Sequence, residues 1–183
     1  MTTLRAVGES EDFEVRDVER VTLNGRLVTS TLIRKMIGAG RVREAARALG
    51  RWYSIEGRVV RGMGRGRSLG FPTLNLICQG DHLLPEEGIY AGWARWRGRE
   101  HPAAVYIGRR PTFPEDRPRL AVEAHILEPS LRRPPQSTVL SFAERLRADR
   151  RWGRVEDLVE QMGRDIKAAR RVLLRNEGAK SRA

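Results

Sequence analysis

The spacing of apolar positions changes twice along the chain. The sequence begins polar. From about Thr29, Leu32, Ile33, Met36 and Ile37 fall at helical intervals behind Ser30 as N-cap. The glycines of Gly38-Ala39-Gly40 stop that helix, and a second one, Val42 to Leu49, ends at Gly50 by the same device. From Tyr53 to about Arg145 the interval shortens to two. Tyr53, Ile55 and Val59 alternate with Ser54, Glu56 and Arg58, and further strands are predicted over Ile89–Trp96, Ala103–Ile107, Leu120–Leu127 and Thr138–Phe142. Turn signals separate them at Gln79-Gly80-Asp81, Pro85 to Gly88, Arg97-Gly98 and Pro111 to Pro118. Short strands with no helices between them predict an antiparallel barrel or sandwich rather than βαβ units. The spacing turns helical again in Val155, Leu158, Val159, Met162, Ile166, Ala169 and Val172, an amphipathic helix suited to covering the barrel. Glu177 to Ala183 reads as a polar tail.

Composition narrows the class. The 183 residues suit one ordinary domain with an appendage, and 40% hydrophobic content is too high for general disorder. No apolar run approaches the roughly 18 residues of a membrane span. The N-terminus, MTTLRAVGESEDFEV, lacks a signal pattern, so a cytoplasmic address is the expectation. Cys78 is the single cysteine, which excludes an internal disulfide and a CxxC site. His82 and His101 read as loop residues, and three dispersed histidines make no metal cluster. The net charge of +12 is almost wholly arginine, since Lys35, Lys167 and Lys180 are the lysines. Arginine spread this evenly does not favour a nucleic-acid stripe. Its densest knot, Arg58 to Arg67, coincides with glycines and points to one phosphate-rich ligand.

That knot opens the segment from Arg61 to Asn75, RGMGRGRSLGFPTLN. Glycines 62, 64, 66 and 70 allow close backbone approach to phosphate oxygens, and Arg61, Arg65 and Arg67 add charge. It is not a P-loop, for GxxxxGK[ST] is absent. On residues alone, a surface hairpin or an RNA-contacting loop would look the same. Thr73 and Asn75 are two apart, so on an extended segment both project to one side, and their neutral oxygens suit Mg²⁺ beside substrate phosphates. A Pro-initiated turn that satisfies backbone groups fits the same spacing. On the predicted strand Leu120–Leu127, Glu123 and His125 share one face, while Val122, Ala124 and Ile126 share the other. Glu123 can be read as a base or as a surface charge.

The run YSIEGRVVRGMGRGRSLGFPTLNL, Tyr53 to Leu76, resembles the opening of the riboflavin kinase domain of bacterial bifunctional riboflavin kinase/FAD synthetases. The likeness continues through Leu84–Ala91, Ile107–Phe113, Val122–Ile126 and Arg145–Arg147, and covers about residues 51–174. It implies a six-stranded antiparallel, Greek-key-like barrel with a C-terminal helix. It also implies phosphorylation of the riboflavin 5′-hydroxyl by Mg-ATP to give FMN and ADP. Carried over by position, Thr73 and Asn75 would hold Mg²⁺ and Glu123 would be the catalytic base. Arg61, Gly62, Gly64, Gly66, Ser68, Gly70 and His125 would contact ATP, and Arg147 and Trp152 the flavin. Trp93 and Trp96 read as packing. No membrane and no obligate protein partner are implied.

The sequence departs from the family pattern at Leu74, where a small Ala is usual, at Tyr106, where Asn is common, and over Glu128–Pro135. The last departure keeps open a flavin- or nucleotide-binding module without turnover. A basic nucleic-acid-binding barrel is the more distant alternative. Phe13 to Leu49, with Val28-Thr-Ser-Thr-Leu-Ile-Arg34, resembles the end of the adenylyltransferase domain that precedes the kinase in the bifunctional enzymes. Division into residues 1–50, a truncated remnant of that domain, and 51–183, the kinase domain, is the expectation. No HxGH-type motif occurs, and no FAD synthetase activity is expected.

Overall fold

A computed structural model of the chain describes residues 2–78, 82–109, 120–128 and 133–180. In chain order the elements are α1 (Thr2–Ser10), β1 (Thr22–Leu23), β2 (Arg26–Leu27), α2 (Ser30–Gly38), α3 (Val42–Leu49), β3 (Tyr53–Val60), α4 (Arg65–Ser68), β4 (Thr73–Cys78), β5 (Gly88–Trp96), β6 (Arg99–Arg109), β7 (Leu120–Ile126), β8 (Ser137–Ala148) and α5 (Val155–Lys180). The last six strands close into an antiparallel barrel in the order β3-β4-β7-β6-β5-β8. Closure removes the unpaired edges that a six-stranded open sheet would present.

Period-two alternation decides what the barrel holds. Ile55, Leu74, Leu76, Tyr90, Val105, Ile107, Val122, Leu140 and Phe142 all point inward and are buried together. Each large side chain among them contributes about 1.5–3 kcal/mol by leaving water. Tyr90 is a polar exception whose hydroxyl donates to the Glu86 carbonyl, which satisfies the phenol inside the apolar interior. Burial pushes its titration up to about 12.

Helix α3 reaches into this core. Val42, at the start of α3, is fully buried in the same cluster as the strand residues and closes one end of the barrel. Gly40 lies against this end at φ +70°, where a Cβ would come within 3.0 Å of the Tyr90 hydroxyl. Arg43 of α3 pairs with Glu144 of β8 at 3.1 Å. Arg145 bonds Glu86 at 2.6 Å through Nη1 and the Glu87 carbonyl at 2.6 Å through Nη2.

Outside the barrel, α5 covers β5, β6 and β8. Ala169, Val172 and Leu173 of the helix bury against Ala91, Trp93 and Ala143, with Trp52, Ala104 and Leu146 at the margin. Trp93 and Trp52 lie 5.4 Å apart, so Trp93 is packing as expected, but on the outer wall beneath the helix.

Several expectations need correction. The N-cap of α2 is Thr29, not Ser30: its hydroxyl accepts from the Leu32 amide at 3.1 Å, which places Ser30 in the first turn. His101 is a strand residue, held by stacking on Trp96 at 3.7 Å and by Glu128 at 2.7 Å. The last helix continues through part of the stretch read as a tail, to Lys180. Strand β8 is longer than Thr138–Phe142 because its second half, Ala143–Ala148, pairs with the start of β5 across irregular register. Further elements were not expected: α1, the β1–β2 hairpin, the single turn α4 and, as a strand, β4. The hairpin turns at Asn24-Gly25, both at positive φ, a pair whose hairpin signal is plain in retrospect. Residues 79–81, Arg110–Phe113 and 129–132 of the divergent loop lie outside the described residues.

Candidate active site

Antiparallel register places Thr73 opposite His125 and Asn75 opposite Glu123 on β4 and β7. Their neighbours Leu74, Leu76, Val122 and Ala124 fill the barrel, so these four polar residues stand on its outer wall. Leu74, where the family has a smaller residue, is 8% exposed and faces the core, away from the polar pair. Thr73 Oγ1 donates to Glu123 Oε2 at 3.1 Å. The hydroxyl lone pairs remain available, since its proton goes to the carboxylate. Asn75 is 7% exposed.

The glycine segment lies directly above this pair. At Gly62 a Cβ would come within 2.6 Å of Asn75 Cγ, and at Gly66 it would overlap the Phe71 carbonyl and reach 3.4 Å from Thr73 Oγ1. Only a residue without a side chain allows that approach. Around Gly66 the backbone makes the single turn α4, entered at Gly64 with φ +75° and followed by Gly70 at φ +86°. Phe71 N–H returns to the Gly66 carbonyl at 2.7 Å, and Ser68 Oγ donates to the Arg65 carbonyl at 2.8 Å. The segment is therefore a small hydrogen-bonded flap rather than an open loop. Arg61, Arg65, Arg67 and Met63 are exposed on it.

His125 anchors the flap. Its Nδ1 lies 2.8 Å from the Pro72 carbonyl, an atom that can only accept, so Nδ1 carries the proton. Phe71 meets the imidazole edge-on at 5.8 Å.

The outer row does not stop at Glu123. Register carries it from Asn75 and Glu123 to Tyr106 on β6, Ile89 on β5 and Arg147 on β8. Tyr106 donates its hydroxyl to Asp149 Oδ2 at 3.1 Å. Burial first, then the carboxylates of Asp149, Glu123 and Glu87, push its phenol well above the ordinary tyrosine value. Tyr106 was legible as a departure from the family pattern but not as a site residue. Alternation within Ala103–Ile107 would have placed it on the outer face.

Arg147 is committed to the fold. Its Nε and Nη2 grip both oxygens of Asp165 on α5 at 2.7–3.1 Å, and Nη1 bonds the Ala148 carbonyl at 3.0 Å. Asp165, 7% exposed, also accepts from Gln161 at 2.8 Å. The Trp152 ring has two guanidiniums beside it, Arg150 at 4.8 Å and Arg147 at 5.8 Å. The outer row thus runs from the flap over Glu123, Tyr106 and Ile89 to this bracket. Two cavities of about 300 and 310 Å³ lie instead beside the N-terminal helices, lined by none of these residues.

Among the described residues no three His, Cys, Asp or Glu side chains gather as a metal centre. A cation at Thr73 and Asn75 would meet neutral oxygens, and the burial of Asn75 beneath Gly62 holds that amide in place for it.

A family model described as flavokinase, riboflavin kinase, matches residues 49–173. The chain belongs to the riboflavin kinase family. Bifunctional riboflavin kinase/FMN adenylyltransferases are among its curated relatives. That of Listeria monocytogenes is 33% identical over 84% of this chain and 48% of the relative. That of Bacillus subtilis is 31% identical over 83% and 48%. The chain thus spans about half the length of the curated relatives it matches. A crystal structure described as a macrolide-efflux protein from Streptococcus pneumoniae superposes with a TM-score of 0.78 at 28% identity, covering 91% of this chain and 54% of that one. No helix among the described residues is long and apolar enough to cross a membrane.

Proposed function

We propose that the protein is a riboflavin kinase, transferring the γ-phosphoryl group of Mg-ATP to the riboflavin 5′-hydroxyl to give FMN and ADP. The observation that carries this reading is the Thr73–Glu123 contact on the outer wall, directly beneath a glycine flap.

Each part has a role. Glu123 accepts the proton of the attacking primary alcohol as the new O–P bond forms and the β–γ bridge bond breaks. General-base help of this kind is worth roughly 10²–10⁴ in rate. Its partner Thr73 holds the carboxylate in register, and the rigid ladder of β4 and β7 keeps both in place. Thr73 and Asn75 would hold Mg²⁺, which, when bound, neutralises charge on the phosphate oxygens. The flap supplies backbone N–H groups at Gly62, Gly64 and Gly66, with Ser68 and the exposed Arg61 nearby, to the nucleotide phosphates, while Gly70, whose N–H bonds the Arg67 carbonyl at 3.1 Å, turns the chain back beneath them. His125 fixes the flap's return through Pro72. Arg147 holds Trp152 at the far end of the row, where a flat flavin ring can lie against the indole. In this reading residues 1–50 are the end of an adenylyltransferase domain and 51–183 the kinase domain.

The test is direct. Purified protein incubated with riboflavin and Mg-ATP is expected to yield FMN, resolved from FAD by chromatography. Saturable binding of both substrates with no FMN would replace a kinase with a binding module. Steep, salt-dependent binding to oligonucleotides without flavin binding would favour the nucleic-acid alternative.

A further inference from the structure

Tyr106 has no part in the chemistry above, yet it lies between its two ends. It is the immediate cross-strand neighbour of Glu123, and Ile89 and Arg147 follow in the same row. Its ring runs along its own strand over Gly108, where any Cβ would overlap the phenol. Glycine at 108 therefore lets the ring lie along the outer wall, with its hydroxyl bonded to Asp149. The phenol oxygen spends its proton on Asp149 and keeps lone pairs to accept from a ligand hydroxyl.

Resting on the kinase reading, we propose that Tyr106, set in place by Asp149 and Gly108, is the contact that recognises the sugar-alcohol chain of riboflavin. The distances suit it. Adjacent strands are about 4.8 Å apart, so an extended five-carbon polyol spans about one and a half spacings from its terminal hydroxyl to the ring. With that hydroxyl at Glu123, the polyol crosses Tyr106, the apolar side of Ile89 supports the near edge of the flavin, and Trp152 meets the rest. An alcohol chain on this path donates to the phenol oxygen and to the exposed Asp149 carboxylate. A flavin ring without a polyol touches neither.

The experiment compares Kd values for riboflavin and lumiflavin, which carries a methyl group in place of the polyol, by fluorescence titration with Mg-ADP present. Tyr106→Phe keeps the ring over Gly108 and is expected to weaken riboflavin about 3- to 10-fold, the loss of one hydrogen bond, while lumiflavin is unchanged. Asp149→Asn is expected to move the same ratio by less. If Tyr106→Phe lowers Tm but leaves the riboflavin-to-lumiflavin ratio where it was, Tyr106 is only a strand-to-loop tie and the proposal fails. Polyol-dependent binding lost in Tyr106→Phe, in a protein that makes no FMN, sustains the contact and overturns the kinase reading instead. No riboflavin binding by the unaltered protein overturns both.

Discussion

Ala104 and Tyr106 stand two residues apart on the same outer face of β6, and they meet different fates. Ala104 packs at the margin of the apolar cluster under α5, together with Ala91 and Trp93 of β5. Tyr106 is half-buried, bonded to an exposed aspartate, beside the Glu123 carboxylate on the neighbouring β7. An outer barrel wall needs cover over its apolar part, and the helix supplies it permanently. The adjoining part is polar and lies beside a short flap hinged on glycines. One outer wall is thus split into a half sealed by the helix and a half left uncovered by it.

Substitutions in each half should therefore separate stability from turnover. Glu123→Gln, in the open half, is expected to lower FMN formation by about 10²–10⁴ while circular dichroism and Tm stay close to the parent values. A parallel collapse of Tm would mean that Glu123 is structural. Trp93→Ala, in the sealed half, is expected to cost about 3–5 kcal/mol of stability by denaturant titration. At temperatures where that variant remains folded, its KM values should match the parent. Gly62→Ala acts at the seam. The added methyl drives against Asn75, and overpacking of about 1–3 kcal/mol should appear as a rise of roughly tenfold in KM for Mg-ATP, with riboflavin binding little changed. Unaltered nucleotide affinity in that variant would detach the flap from the phosphates.

Much of this division was legible from residue spacing. Alternation located five of the six barrel strands, and the 3.6-residue period located α2, α3 and α5. The pair Thr73 and Asn75 and the pair Glu123 and His125 were each placed on one face, because side-chain period in a strand is two. That these two pairs meet was not legible. It depends on β4 lying beside β7, a non-local pairing that neither strand encodes alone. The same limit hid the Arg147–Asp165 bracket, whose partners are joined only once α5 docks. Tyr106 was hidden for another reason. Its identity marks it as a departure, and only alternation within Ala103–Ile107 gives the face it occupies. The β1–β2 turn carries its own local signal in Asn24-Gly25.

The seat of Val42 has a practical corollary. The family match begins at residue 49, but the side chain that stoppers one mouth of the barrel belongs to residue 42. A protein trimmed to the matched span would admit water beside Tyr90 and Phe142 and strip Arg145 of its neighbour Gly40. The buried core therefore reaches past the recognisable span, to a residue on α3.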